Sequence, residues 1–244
     1  MSVYKIVIFA NIKYLEKCEK RICEFKKLGI DNYVFYCIDT ELFDRLSCSN
    51  KELFLVSNNT SRSFRQSLWL KRTQKVYDLL EGSDILHCDA DAEWLINPTH
   101  FFENNPQSDI FLTPGLDFPR ESLYRWGFVV RGGLYYIRSS KHTRIFIDRW
   151  IEYIKKYNDD QIGLNKFLLD NNIVWNRNIV SKSIPYYLDP NYKIHFYSNM
   201  ITGFFDNYNI GLLSAYDFPR LVTNHKSYII DLHDQHKVFG SMPE

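Results

Sequence analysis

Apolar residues fall along this chain in two rhythms. Residues 5–10 form a continuous β-branched apolar run, the pattern of a strand covered on both faces, as parallel strands are. Residues 14–28 mix charged and apolar positions at helical spacing, Gly29 stops them, and residues 33–38 make a second buried run that leads into Asp39. Together they predict a β-α-β unit. A polar loop over 57–63 precedes a 3.6-residue rhythm over 64–80, with Gly82 just beyond. Residues 83–88 then read as a short strand running straight into Asp89-Ala90-Asp91. Further strands are expected over 109–113 and 133–137, and amphipathic helices over 140–157 and 160–169. The last third breaks into short aromatic strands and loops and ends in a His-rich tail. Strands alternating with helices predict an α/β fold, in which ligands bind beyond the carboxyl ends of the strands.

Composition narrows the partners. Hydrophobic residues make up 45% of the 244, enough for a sizeable core, and no repeat or Pro- or Gly-rich linker divides the chain, so one domain over 1–244 is expected. The 30 Lys and Arg nearly cancel the 29 Asp and Glu, which lacks the basic balance of a nucleic-acid binder; no nucleic-acid partner is expected. An anionic small substrate must then be met by locally placed cations. The opening apolar run is too brief for a signal peptide's core, and no stretch is long enough to span a membrane, so a soluble, cytoplasmic protein with no integral membrane segment is expected. Five cysteines without CxxC spacing read as free thiols.

The chemistry concentrates where strands end. Asp89 and Asp91 follow the apolar strand two residues apart, which on an extended segment sets both carboxylates on one side. Two hard oxygen ligands suit Mg²⁺ or Mn²⁺, which takes one or two carboxylates plus phosphate oxygens and water. A solvated turn is the plain alternative, since turns favour Asp. Asp39 after the second strand, and Phe9-Ala10 at the end of the first, are placed to meet a base and ribose; Asp39 opening the next helix is the competing reading.

The order of motifs goes further. The stretch from Trp69 through Gly82, Asp89-Ala-Asp91, Trp94-Leu95 and Asn97-Pro98 resembles the nucleotide-diphospho-sugar transferase family of GT-A glycosyltransferases, akin to glycosyltransferase family 77. Gly133-Leu-Tyr-Tyr-Ile-Arg-Ser139, Asp160-Gln161, Leu188-Asp189-Pro190 and a late segment ending in His225 continue the family's order. The resemblance implies a Rossmann-like mixed sheet flanked by helices, with a nucleotide-binding half over about 1–98 and an acceptor-side half over about 99–244. It implies a metal-dependent transferase moving a sugar from a nucleotide-diphosphate sugar, UDP-linked by analogy, to a glycan, glycolipid or glycoprotein hydroxyl, with retention. Mn²⁺ or Mg²⁺ would sit on Asp89, Asp91 and His225, with His233 and His236 competing for the third position. Nucleotide-sugar contacts fall to Phe9, Ala10, Asp39, Asp89, Gly133 and Lys237, with Lys71 or Lys75 facing the same phosphates. Arg131 stands where the family has Asn, which points to an anionic donor or acceptor or to a shifted alignment. Asp160 and Gln161 are the catalytic candidates: they orient the sugar, or Asp160 serves as general base if the enzyme inverts, against the local alternative of a helix N-cap. The remaining histidines, His87 among them, read as packing.

Two other classes stay open. A metal-dependent phosphohydrolase or nuclease would use the same carboxylates, although the motif follows the third expected strand rather than the first. A non-catalytic nucleotide-sugar-binding relative would keep the fold alone.

Overall fold

The computed structural model describes residues 4–56, 61–115, 118–177, 180, 182–215, 217, 218 and 229–231. Strand β1 (Tyr4–Ala10) passes through a 3-10 turn at Ile12–Tyr14 into α1 (Leu15–Lys27), then β2 (Tyr33–Cys37), α2 (Thr40–Arg45) and β3 (Lys51–Leu53). Helix α3 (Ser61–Leu79) returns to β4 (Asp84–Cys88), followed by β5 (Ala92–Trp94), α4 (Thr99–Glu103), β6 (Ile110–Gly115), α5 (Arg120–Trp126) and β7 (Val129–Ile137). Helices α6 (Lys141–Tyr157) and α7 (Asp160–Asp170) precede β8 (Val174–Trp175), β9 (Lys182–Tyr186), β10 (Asp189–Phe196), β11 (Ile201–Phe205), β12 (Tyr208–Leu212) and β13 (Ile229–Asp231).

Nine strands form one mixed sheet in the order β3-β2-β1-β4-β7-β6-β12-β11-β8. The four at one end, β3, β2, β1 and β4, are parallel, and β7 enters antiparallel beside β4. Both faces are covered, which is why the strands read as continuous apolar runs. Val7, Phe9, Ile85, Tyr135 and Ile137 pack with Val76 of α3, Phe146 and Trp150 of α6 and Leu164 of α7. Ile6, Ile8, Leu86, Leu134 and Tyr136 pack with Cys18 and Phe25 of α1 and Leu42 of α2 on the other side. The chain moves outward from β1 to β2 and β3, then crosses back through α3 to β4 on the other side of β1. The strand order therefore reverses between β1 and β4, and a crevice is expected beyond their carboxyl ends.

The periodic segments are found as expected, and the differences are all in short pieces. The run over 133–137 is only the end of a nine-residue strand, because Arg131 and Gly132 break the apolar pattern and the ladder to β6 shifts register there, between Leu112 and Thr113, before resuming at Arg131. Helices α2, α4 and α5 are too short, at five to seven residues, to show a 3.6-residue rhythm. Among the described residues no helix is long and apolar enough to cross a membrane. All five cysteines are free, three of them buried.

Candidate active site

The Asp89-Ala90-Asp91 segment leaves β4 at the strand reversal, but it is not extended. The Ala92 N–H donates to the Asp89 carbonyl at 3.1 Å, closing a turn that leads into β5, and the Asp89 N–H donates to the Gly133 carbonyl at 2.8 Å. The expectation of two parallel carboxylates on one side of a strand is corrected by this turn: the side chains face different elements. Asp91 Oδ2 lies 3.9 Å from Lys17 Nζ of α1, whereas Asp89 Oδ1 lies 3.4 Å from Arg72 Nη1 of α3. Helix α1 also fixes the strand beyond, since Glu24 accepts from the Trp94 N–H at 3.0 Å and Lys20 pairs with Glu93.

Arg72 is the centre of the arrangement. Its Nη2 pairs with Asp160 Oδ2 and approaches the Gly132 carbonyl at 3.5 Å, so one guanidinium joins the turn after β4, strand β7 and the head of α7. Asp160 is buried and Arg72 nearly so, with side chains 7% and 11% exposed. Burial acts to lower the Arg72 pKa, but Asp160 and then Asp89 outweigh it and raise it, so the guanidinium stays charged. Asp160 is the first residue of α7 and not its cap; Asp159 accepts from the Ile162 N–H at 2.7 Å and performs that role. Asp160 Oδ1 accepts from the Gln161 N–H at 2.8 Å. A Cβ on Gly132 would stand 3.2 Å from Asp160 Oδ2, so the absence of a side chain there lets α7 close on β7. Buried Asn165 completes the clamp, accepting from the Val130 N–H at 2.9 Å and donating to the Val130 carbonyl at 2.6 Å.

His87 and Tyr135 form the floor under this pair. The His87 ring lies between Phe9 and Tyr135, at 5.8 and 4.8 Å between centroids, and its Nδ1 is 3.2 Å from the Val7 carbonyl. Burial, then the neighbouring Arg72 charge, hold its pKa well below the usual histidine range, so it is neutral and Nδ1 carries the donated proton. Arg72 Nε, His87 Nε2 and Tyr135 Oη are buried without a hydrogen-bond partner among the described residues. Three such atoms in one spot keep unused hydrogen-bonding capacity beside two carboxylates.

The other expected site residues divide. Asp39 caps α2, accepting from the Leu42 N–H at 2.8 Å and from the Ile12 N–H at 2.9 Å, so the helix-opening reading holds for it. Phe9 and Ala10 end β1 with side chains turned inward; Phe9 stacks on Tyr36 at 5.0 Å, and the Ala10 carbonyl accepts from the Ile38 N–H at 2.8 Å. Lys71 Nζ donates to the Leu55 carbonyl at 3.3 Å, while Lys75 lies 3.7 Å from Glu52 and over the Tyr36 ring. Both lysines thus face the β3 side of α3, and the expectation that they face the same ligand as Asp89 gives way to Arg72 there. Arg131 is buried in β7 with its stem against Gly115, and Gly133 holds the Asp89 turn through its carbonyl. Gln161 Nε2 donates to the Phe118 carbonyl. His225, His233, His236 and Lys237 lie outside the described residues. Among the described residues no group of three His, Cys, Asp or Glu side chains could hold a metal.

Arg72 is the residue of this junction that sequence reasoning missed, whereas His87 is buried between Phe9 and Tyr135 in keeping with its packing reading. The signal for Arg72 was present: it falls four residues after Leu68 and four before Val76, on the stripe of α3 that faces the sheet, whereas Lys71 and Lys75 lie one position off it.

Comparison with known proteins adds three findings. A family model described as nucleotide-diphospho-sugar transferase matches residues 28–238. The chain is 26% identical over 226 residues to a UDP-galactose:fucoside alpha-3-galactosyltransferase from Dictyostelium discoideum. That match covers 78% of this chain and 34% of the relative, so the chain spans about a third of that protein's length. A crystal structure of the galactosyltransferase LgtC with donor and acceptor sugar analogs superposes at a TM-score of 0.46 and 16% identity, over 66% of this chain and 69% of that one.

Proposed function

Given that the chain belongs to the nucleotide-diphospho-sugar transferase family, we propose that it transfers a sugar from a nucleotide-diphosphate donor, UDP-linked, to a hydroxyl of a glycan, glycolipid or glycoprotein, with retention. The observation that carries this reading is the bridge from Asp89 through Arg72 to Asp160, shielded at its Arg72–Asp160 end. It ties the turn beyond the nucleotide-binding strands to the head of a helix on the acceptor side, so donor and acceptor elements share one rigid junction. Transfer needs such rigidity, because groups aimed in advance at developing charge stabilise a transition state more than a ground state.

Asp160 orients in this reading rather than removing a proton. Both of its carboxylate oxygens already accept hydrogen bonds, one from Arg72 and one from the Gln161 N–H. That arrangement suits fixing sugar hydroxyls at the helix head and supports retention over general-base inversion. Arg72 brings a fixed positive charge to a junction otherwise lined by two carboxylates, and neutral His87 backs it without adding a second.

The donor set fits a hard divalent cation as far as it is described. Asp89 and Asp91 offer carboxylate oxygens at a reachable turn, and Mg²⁺ or Mn²⁺ needs only one or two of these beside substrate phosphates. When bound, such an ion would neutralise charge on the departing diphosphate. A tail histidine is the natural further ligand. Strand β13 pairs antiparallel with β5, Asp231 opposite Ala92 and Ile229 opposite Trp94. His233 follows Asp231 by two residues, while His225 precedes Ile229 by four on the other side. His225 is the first candidate for that position, with His233 and His236 competing for it.

The test is thermal stability with UDP-galactose and Mn²⁺, singly and together. The expected result is a rise in Tm with both that Asp91→Ala abolishes, and a higher metal requirement in His225→Ala than in His233→Ala or His236→Ala. No shift with any nucleotide sugar and metal would sink the reading.

A further inference from the structure

We infer that the hollow between α5 and β10 is a binding site for an anionic saccharide, and that the acceptor is therefore a glycan carrying a carboxylate or phosphate group. This inference rests on the transferase reading for the word acceptor; the site itself stands on its own geometry.

The hollow has a volume of about 260 Å³. Drug-sized ligands occupy roughly 300–1,000 Å³, so this one suits a single sugar ring with its substituent. Its chemistry comes from both elements: Tyr124, Arg125 and Trp126 from α5, Tyr192, Lys193 and His195 from β10, with Arg177 between them. The Tyr124 and Tyr192 rings stack on each other at 3.9 Å and remain 39% and 37% exposed, which leaves the outer ring face of the pair to pack on a sugar. Three cations and no carboxylate line the space. Among the described residues none of Arg125, Arg177 and Lys193 is paired with an acid, in a protein whose charges otherwise nearly cancel.

The cations are partly built in. Arg177 Nη1 donates to the Trp126 carbonyl at 3.1 Å, which holds its guanidinium at the rim. The His195 N–H donates to the Gly127 carbonyl at 2.7 Å, and its Nδ1 lies 2.8 Å from Ser183 Oγ. Burial first, then Arg177 and Lys193, lower the His195 pKa, so its ring is neutral and the positive potential comes from its neighbours. Gly127, at φ +80°, caps α5, and a Cβ there would stand 1.8 Å from His195 Cδ2, so the hairpin can seat only on a glycine.

Position links the hollow to transfer. Strand β7 runs antiparallel to β4, so the residues before Val129 project beyond the carboxyl end of β4, on the edge where Asp89 lies. Gly127 is six residues before Gly133, which is at most about 20 Å along an extended chain. A saccharide seated here by its charged unit can present a neighbouring hydroxyl toward that junction.

The experiment is calorimetric titration of the full chain with glucose, glucuronate, glucose 6-phosphate and inorganic phosphate, in wild type, Lys193→Gln and Arg177→Gln. At least one charged sugar is expected to bind about tenfold tighter than glucose, and Lys193→Gln to remove most of that preference, as loss of a charge-assisted contact does. Preference for glucuronate identifies a carboxylate source, and preference for glucose 6-phosphate a phosphate source. Equal affinity for glucose and the charged sugars, inorganic phosphate binding as tightly as the sugar phosphate, or a preference unchanged in both variants overturns the inference. Lys193 makes no ion pair among the described residues, so its variant keeps the test decisive should Arg177→Gln unfold. UDP with Mn²⁺ is titrated into the same samples. Loss of nucleotide binding in wild type speaks against the transferase reading, while loss of the charged-sugar preference speaks against this site.

Discussion

Arg72 shows how one side chain can join distant parts of a chain. It pairs with Asp160 and reaches Asp89, two carboxylates from distant parts of the chain; Arg72 and Asp160 are largely shielded from water, while the Asp89 side chain is 37% exposed. A buried pair is costly to break from one side, because the remaining charge is left uncompensated, at about 3–5 kcal/mol. Asp160→Asn keeps the shape and removes the charge. It is expected to lower unfolding free energy in urea titration by less than that, since Arg72 keeps Asp89, and, if the proposed reading holds, to abolish transfer while leaving UDP and Mn²⁺ binding in place. Retained transfer in a folded Asp160→Asn protein would remove Asp160 from the site. The identity of Asp160 was legible from its motif, but its partner was not. Arg72 lies 88 residues away in sequence, and nothing local to either residue reports the other.

At the level of elements, the junction depends on how α7 is pinned to β7. Asn165 does this from inside the core, with its amide satisfying both the N–H and the carbonyl of Val130 and donating to the Gln161 carbonyl at 2.8 Å. Asn165→Ala leaves two buried main-chain groups of Val130 without partners, each worth about 1–3 kcal/mol. The expected outcome is a large fall in Tm together with faster amide exchange at Val130; an unchanged Tm would show that α7 is held by its apolar contacts alone. The long elements were legible because a 3.6-residue or continuous apolar pattern is a local property of the chain, and α6 even carries a visible cap in Ser140 and Thr143. The turn at Asp89–Asp91 was legible only as one of two alternatives, on the preference of turns for Asp. Its closure depends on the Gly133 carbonyl and on the pairing of β5, both supplied by distant segments.

Across the whole molecule, a neutral imidazole buried under the site makes stability depend on pH. The folded-state pKa of His87 is depressed, so the unfolded chain, with an ordinary value near 6.5, takes up a proton that the native state refuses. His87 thus contributes stability that is present in full above about pH 6.5 and is lost progressively as pH falls below it. Tm is expected to drop between pH 7 and pH 5, and His87→Gln, which keeps a donor for the Val7 carbonyl, to flatten that drop; identical slopes would assign the dependence to other groups. The sequence by itself determined the long apolar strands, the long helices, the acids that follow the strands and the family, since each is written in local spacing or in motif order. Only the tertiary structure decided which charges meet. It turned Asp89 toward Arg72 and Asp91 toward Lys17, left Lys71 and Lys75 on the flank of α3, and gathered unpaired cations between α5 and β10. The reason is physical: a side chain's direction is set by the turn that carries it and by the partner it finds, and both come from residues far along the chain.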